Sequence, residues 1–313
     1  MPSISSAGIG SGLDIEGIIS SLMAAERLPL NKVSTERTAI NTKISIYGII
    51  KNSFADLKTA TDKLTNLSNL NPLKATSTDD KVVSATASSA NAKGSYSIEV
   101  SQLAKAQSVA TLGVATADTV VGTGSLTITL GSYDSNTNTF TDNADKTPVT
   151  INIGAGQQTL EGVRQAINEA NAGVNASIVN DGAGSRLVLT SKDTGAVNGF
   201  KLEVADDDGN NTNVAGLSRL AYDPTALAGS GKNADTLQAA QNANFTINNL
   251  PVSKASNSVS DAVEGLTLNL KAVTTTPINL EVGLDDAALK TTLDGFVTAY
   301  NKIRGNLKDQ QQK

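Results

Sequence analysis

The clearest cluster of acidic residues is the run Asp206-Asp207-Asp208-Gly209-Asn210, whose side chains are of the kind that binds calcium. Clustered carboxylates and amides supply the oxygen ligands that this hard cation prefers. The helix-loop-helix calcium loop, however, needs a glycine at its sixth position and a closing glutamate, and this run has neither. The segment Asp134-x-Asn136-x-Asn138 fails in the same way. Both segments are therefore interpreted as solvated turns, and no metal site is predicted.

Catalytic chemistry has few residues to draw on, because the 313-residue sequence contains no His, Cys or Trp. His is the usual general base at neutral pH, and Cys is the usual thiolate nucleophile. Without His, the serines cannot form an ordinary catalytic triad. The pairs Gly122-x-Gly124 and Gly154-x-Gly156 lack the full spacing of phosphate-binding loops, and Gly182-x-Gly184 fits a hairpin turn. We therefore predict no catalytic residues, no cofactor and no enzymatic activity.

Composition also argues against nucleic acid and membrane as partners. The net charge is −5, no block is rich in Lys or Arg, and 3% of the residues are aromatic. Nucleic acid binding would need a basic face, and base stacking would need aromatic side chains. No run is long and apolar enough to cross a bilayer. A cleavable signal peptide is not expected either, since no Lys or Arg precedes Arg27.

The chain is predicted to begin with a flexible leg, residues 1–30, that carries a short amphipathic helix. Residues 1–12 are rich in Gly and Ser, and Asp14 is a suitable N-cap. Pro29 is expected to end or kink the helix. A helix this short is marginal alone, so its apolar stripe needs a partner. The stripe consists of residues spaced by three or four positions: Ile15, Ile18, Ile19, Leu22 and Met23.

Two longer helical segments, 31–72 and 283–313, are predicted to pair antiparallel as a coiled-coil-like stalk. Each carries apolar residues at helical spacing. The residues predicted to pack in the stalk are Ile40, Ile44, Tyr47, Phe54 and Leu57 in the first segment, and Leu289, Leu293, Phe296, Tyr300, Ile303 and Leu307 in the second.

The region between these helices alternates apolar and polar residues with period two, which predicts β-strands. The clearest series are Tyr96-Ile98-Val100, Phe245-Ile247, Leu266-Leu268-Leu270 and Ile278-Leu280-Val282, while Leu160, Val163, Ile167 and Ala170 share one face of a predicted helix. We interpret 75–112 and 240–282 as one discontinuous β domain. The segment 117–235 is then a second β-rich domain inserted into the first, with one helix near 160–170. The predicted fold class is α+β: a helical stalk from both chain ends, with two mainly-β domains inserted, the second within the first.

Several stretches together resemble the flagellar hook-associated protein 2 family, the filament caps. The opening GIGSGLDIEGIISSLMAAERLPL is the most specific of them. The others, in the order expected for the family, are GSYSIEVSQLAKAQSVAT (94–111), TLEGVRQAINEANAGVNASIVNDGAGSRLVLTSKDTG (159–195), ANFTINNLPVSKASNSVSDAVEGLTLNL (243–270) and DGFVTAYNKI (294–303). The resemblance spans essentially the whole chain, although family members continue with more helix beyond its last residue.

This resemblance implies a non-enzymatic assembly protein at the tip of the bacterial flagellum, outside the cell. Copies would form a homo-oligomeric ring, pentameric or of another size, that retains exported flagellin and promotes its folding and insertion. An export chaperone would hold the protein before the flagellar type III apparatus secretes it. We hypothesise that the leg docks on the filament and flagellin through Leu13, Asp14, Ile15, Ile18, Ile19, Leu22 and Met23.

Two alternatives stay open at this point. Another axial flagellar protein, such as a hook–filament junction subunit, would share the export route and the helical chain ends. A secreted surface adhesin would use exposed β domains to bind host ligands. The order of the β segments favours the cap.

Overall fold

The computed structural model describes residues 14–311, which separate into two compact units. Within the described residues, the helical unit comprises 14–72 and 285–311, and the β unit comprises Leu73–Leu284. This arrangement confirms the predicted α+β class, with helices at both chain ends and β-sheets between them. The predicted flexible segment 1–12 and the predicted docking residue Leu13 lie outside the described residues.

The α-helices of the described chain are α1 (Ile15–Thr65), α2 (Leu67–Leu70), α3 (Leu160–Ala170) and α4 (Asp286–Gln311). Its strands are β1 (Leu73–Ser77), β2 (Val83–Ala87), β3 (Gly94–Gln102), β4 (Ser108–Ala110), β5 (Gly124–Asp134), β6 (Thr139–Asp142), β7 (Val149–Ile153), β8 (Val174–Asn180), β9 (Ser185–Ser191), β10 (Gly199–Asp206), β11 (Tyr222–Ala228), β12 (Ser230–Lys232), β13 (Asp235–Gln238), β14 (Ala243–Ile247), β15 (Leu250–Lys254), β16 (Ser258–Val263), β17 (Leu266–Leu270) and β18 (Ile278–Leu284).

The long helix α1 continues through Pro29, so the prediction that the helix ends at this residue is wrong. Proline removes one backbone donor, but its fixed φ is compatible with a helix. The residues around Pro29 are exposed, so water can donate a hydrogen bond to the carbonyl of Ala25, which the missing N–H of Pro29 leaves without its helical donor. The helix instead ends at Asn66, which takes an extended conformation and caps the short helix α2.

Helices α1 and α4 pack together antiparallel, as predicted. The amide of Asn306 donates to the Ser53 hydroxyl, with 2.7 Å between Nδ2 and Oγ. Four residues earlier on α4, Lys302 places its Nζ 2.7 Å from the Asp56 carboxylate. Ser53 is fully buried, which shows that the two backbones approach closely at this point.

The side chains in this contact differ from the predicted apolar seam. Thr291 and Thr298 of α4 line this contact. The other α4 residues that line it or bond across it each come one position before a member of the predicted series: Thr292, Gly295, Ala299, Lys302 and Asn306. Small residues allow close approach of helix backbones, and larger apolar side chains at the same positions would hold the helices apart. Of the predicted stalk residues, Ile303 is buried, and Leu57, Leu289 and Phe296 are half-buried.

The structure does not bring Ile40, Ile44, Tyr47 and Phe54 into the contact with α4, since all four are exposed. The end of α4 reaches this part of α1, since Gln310 lines a cavity together with Lys43 and Ile46. At about 100° per residue, however, the four predicted residues lie on a face of α1 other than the one that carries Ser53.

The first core of the β unit is formed by two sheets, and each sheet combines strands from both ends of the unit's sequence. One sheet has the order β1-β18-β3-β14-β15, and the other has the order β16-β17-β2. Ile98 of β3 is opposite Ile247 of β14 on one side and Ile278 of β18 on the other. All three side chains are buried, so the alternation predicted for these strands is confirmed.

The second core lies between two further sheets and α3. One sheet has the order β12-β11-β10-β5-β6, with β7 also paired to β5, and the other has the order β13-β4-β9-β8. The predicted helix near 160–170 is confirmed as α3, which buries Leu160, Val163 and Ile167 and stops at Asn171 in the left-handed conformation. In its first turn, hydrogen bonds from Arg164 and then Gln165 lower the pKa of Glu161 to about 2.

The position of β4 differs from the domain division predicted from the sequence, which placed residues 75–112 together. Strand β4 pairs with β9 and β13, and its Val109 lies in the second core. Its pairing therefore favours a boundary before residue 108. The domain boundaries themselves stay a prediction.

Gln107 ends the connecting segment that enters the second core. Its side chain donates to the carbonyl of Phe200 at 3.0 Å and accepts from the N–H of Phe200 at 2.9 Å. The amide therefore replaces a strand neighbour at the start of β10. Because Gln107 and Phe200 are both buried, water cannot substitute for these bonds.

We predict that Gln107→Leu lowers the free energy of unfolding of the β unit by about 2–4 kcal/mol, because it leaves two buried backbone groups of Phe200 without partners. Urea denaturation followed by circular dichroism measures the change. Gln165→Leu is the matched control, since Gln165 is exposed and bonds only within α3. Equal stability of the two variants would contradict the prediction.

We also predict that Ile303→Ala destabilises the pairing of α1 with α4 by about 2–4 kcal/mol, the usual cost of truncating a buried Ile. Leu293→Ala, at an exposed position of the same helix, should change stability by less than about 0.5 kcal/mol. Loss of helical circular dichroism with urea reports both values. A Leu293 variant as destabilised as the Ile303 variant would show that the contact face has been assigned wrongly.

Candidate docking surface

The N-terminal end of α1 is fixed by the predicted cap. Asp14 precedes the helix, and its carboxylate accepts the backbone N–H of Gly17 at 2.8 Å. The carboxylate also lies at the positive end of the helix dipole, where a negative charge is stabilising. Asp14 therefore has a structural role in starting the helix, in addition to the docking role hypothesised from the sequence.

The five apolar residues predicted to form the docking stripe lie at the surface of α1. Leu22 is 65% exposed and Ile18 is 47% exposed, Ile19 and Met23 are similarly exposed, and Ile15 is half-buried. Burying an apolar side chain of this size stabilises a complex by about 1.5–3 kcal/mol before entropic costs. In the described chain these side chains remain at least partly exposed, so the stabilisation that their burial would give is available to a partner.

Because α1 is continuous, this stripe aligns with apolar residues farther along the helix. At about 100° per residue, Ile15, Ile18 and Leu22 lie on the same side of α1 as the predicted stalk residues Ile40 and Ile44. We call this set the α1 apolar stripe; its members are Ile15, Ile18, Leu22, Val33, Ile40, Ile44, Tyr47 and Phe54. It runs for about 58 Å along the helix axis.

Both parts of the α1 apolar stripe are among the residues predicted from the sequence, but the predicted end of the helix at Pro29 separates them, and Val33 is not among them. Helical periodicity identifies Val33 when it is continued through Pro29, because Val33 then lies on the same side of the helix as Leu22 and Ile40.

Helix α4 carries a second exposed apolar face beside its contact with α1. Leu293, Tyr300 and Leu307, all predicted stalk residues, are exposed there, and Val297 joins them. Tyr300 stacks on half-buried Phe296, with 6.5 Å between the ring centroids. Both long helices of the helical unit therefore present apolar faces that the described residues do not cover. Exposed apolar surface of this extent marks sites of protein–protein interaction.

The acidic loop of the β unit is built differently from the predicted solvated turn. Asp206 is buried, its Oδ2 accepts the N–H of Ser218 at 2.8 Å, and its Oδ1 accepts the N–H of Asp208 at 3.2 Å. Its carboxylate therefore holds the loop that follows β10. Asp207 and Asp208 are exposed.

Two other kinds of site are absent from residues 14–311. In this range no three acidic side chains come together in a way that could hold a metal ion. Within the same described range, no helix combines the length and apolar character needed to cross a membrane. The exposed faces of α1 and α4 are thus the strongest candidate functional site.

Three segments of the chain match known protein families. Residues 11–107 match the flagellar hook-associated protein 2 N-terminus, and residues 240–313 match the flagellar hook-associated protein 2 C-terminus. Residues 125–193 match the flagellin hook IN motif. The first two segments carry the helical unit and the first core, and the third lies within the second core.

Similar full-length proteins agree with these matches. Flagellar hook-associated protein 2 of Escherichia coli K12 is 38% identical over 97% of this chain and 61% of the relative. B-type flagellar hook-associated protein 2 of Pseudomonas aeruginosa PAO1 is 33% identical over 97% of this chain and 63% of the relative. The chain therefore spans about three fifths of the length of these relatives.

Among solved structures, the D1-D2-D3 domains of the flagellar cap protein FliD from Escherichia coli are similar, with a TM-score of 0.69 and 35% identity. The match covers 84% of this chain and 69% of that structure. The shared region therefore includes most of the architecture described above.

Proposed function

The chain belongs to the flagellar hook-associated protein 2 family, and from this premise we propose that the protein caps the distal end of the flagellar filament. In this role it acts outside the cell, retains exported flagellin at the filament tip and promotes its folding and insertion. The role is structural and requires no catalytic chemistry.

The observation that supports this proposal most strongly is the α1 apolar stripe. A cap must hold a tip whose subunits change with each insertion, so its contacts must form and release repeatedly. A helix face with separate apolar side chains suits such contacts, because each side chain contributes a modest gain and none is irreversible. The exposed residues Ile18 and Leu22 are proposed to dock on flagellin subunits at the filament end.

We further propose that the working form is a ring of copies, pentameric or of another size. The exposed face of α4 supports this part, since Leu293, Val297 and Tyr300 would be covered by a helix of a neighbouring chain. The β units of the ring would form the plate beneath which flagellin is retained.

Before export, exposed apolar faces are an aggregation hazard for a chain waiting in the cytoplasm. A flagellar export chaperone is therefore proposed to cover them. The absence of Cys from the sequence is compatible with export of an unfolded chain that forms no disulfides.

The proposal predicts that the double substitution Ile18→Ser and Leu22→Ser abolishes filament growth while the β unit stays folded. The reason is that the change removes two apolar contacts from the docking face without touching either β core. The variant full-length protein is expressed in cells whose own filament cap has been deleted, and filament length is measured by electron microscopy.

The matched control is Ser20→Asn with Ala24→Ser, two exposed positions on the opposite side of the same helix. Filaments of normal length are expected from it. Normal filaments from the Ile18/Leu22 variant would exclude the stripe from docking, and short filaments from both variants would show that the effect is not specific to that face.

A further inference from the structure

The two cores of the β unit are joined by two connecting segments that run side by side. One segment, residues 103–107, leads from β3 to β4, and the other, 239–242, returns from β13 to β14. Lys105 and Gln241 pair as an antiparallel bridge, with N–O distances of 2.9 and 3.1 Å. A two-segment connection of this kind could act as a hinge if nothing else crossed between the cores.

A loop of the second core crosses this connection. Residues 193–196, between β9 and β10, reach the turn that joins β15 to β16 in the first core. Thr194 donates its hydroxyl to the carbonyl of Ala255 at 2.7 Å, and Gly195 donates its N–H to the carbonyl of Lys105 at 3.2 Å. The carbonyl of Lys105 thus accepts hydrogen bonds from both the returning segment and the loop.

Asn242 connects the same loop to the first core. Its Oδ1 accepts the N–H of Ala196 at 2.8 Å, and its backbone carbonyl accepts the side chain of Gln102 at 2.7 Å. Its Nδ2 also donates to the hydroxyl of Ser253 at 3.3 Å. One residue therefore links the loop with β3 and β15.

Asn257, in the turn between β15 and β16, binds the backbone of Ala104, which lies on the connecting segment 103–107. Its Oδ1 accepts the N–H of Ala104 at 2.7 Å, and its Nδ2 donates to the carbonyl of Ala104 at 2.9 Å. The segment is thereby fixed to the same turn that the loop touches. Both connecting segments are braced where a hinge would have to bend.

Gly195 is the point of closest approach between the loop and the turn. It is buried, and its φ is +102°. A Cβ at this position would overlap the methyl group of Ala255 and would lie 2.6 Å from its Cα and 2.7 Å from its carbonyl oxygen. Since both the Cα and the carbonyl oxygen belong to the backbone, no side-chain rotation could make room.

We propose that residues 193–196 form a clamp that locks the two cores into one rigid body. The cores are joined by the chain through segments that could flex, and the clamp fixes their relative orientation through Gly195, Thr194 and Asn242. A displacement imposed on the second core is then transmitted to the first. This inference does not depend on the proposed capping role, because it concerns the β unit alone.

The test compares Gly195→Ala with Gly182→Ala. Gly182 also has a positive φ, +88°, but it lies at a hairpin tip where an added Cβ would meet nothing within 4 Å. The two substitutions therefore impose similar backbone strain, and only the first disturbs the clamp. Because the sequence contains no Cys, two cysteines can be introduced for nitroxide labelling. The positions are Lys146, on an exposed loop between strands of the second core, and Thr276, on an exposed loop between strands of the first core.

Pulsed electron paramagnetic resonance then gives the distance distribution between the two labels in the full chain. A narrow distribution is expected for the parent and for Gly182→Ala, and roughly a doubling of its width for Gly195→Ala. Equal widths for the two glycine variants, or a broad distribution in the parent, would overturn the proposal. If Gly195→Ala fails to fold, Asn242→Ala takes its place: broadening supports the clamp, and an unchanged width overturns it.

Discussion

The central strand β3 determines how the β unit is put together, because it pairs with β14 and β18 from the other end of the unit. These pairings bring residues near 98 next to residues near 247 and 278, and such distant contacts must offset a large loop-closure entropy by burying apolar surface. Because β3 and β14 are neighbours in the sheet, the chain between them leaves the first core and returns to it at adjacent positions. That constraint puts Lys105 beside Gln241, and it puts the loop around Gly195 within reach of Ala255.

The helical unit follows a different rule, in which one helix presents two faces with different chemistry. Where α1 meets α4, small and polar side chains such as Ser53 and Ala299 let the backbones come together. The large apolar side chains of α1 lie elsewhere on its surface. A helix pair that put its apolar residues into its own contact would have none left for another chain. The division of faces is therefore the feature that connects the fold with the proposed docking on flagellin.

Sequence patterns predicted the elements in which large apolar residues recur with a clear period. The alternation of Leu266, Leu268 and Leu270 gave β17, and the spacing of Leu160, Val163 and Ile167 gave α3. Strands β1 and β2 were missed because LKATS and VSATA contain mostly small or polar residues, whose burial depends on partner strands about two hundred residues away. In the α1–α4 contact, the predicted residue Ile303 is buried, but the small residues that allow close approach were not predicted, because hydrophobic periodicity does not detect them. The docking stripe was predictable as far as Pro29, where the helix was expected to end but continues.

The most direct test of the capping role is the position of the protein on growing filaments. Purified full-length protein is added to cells that lack their own cap, flagellin is supplied, and gold-labelled antibody locates the protein by electron microscopy as the filaments lengthen. For a cap, gold is expected at the distal tip, moving outward with growth and always ahead of the newest flagellin. Gold that stays between hook and filament while the tip grows beyond it would exclude the capping role and identify a junction subunit instead.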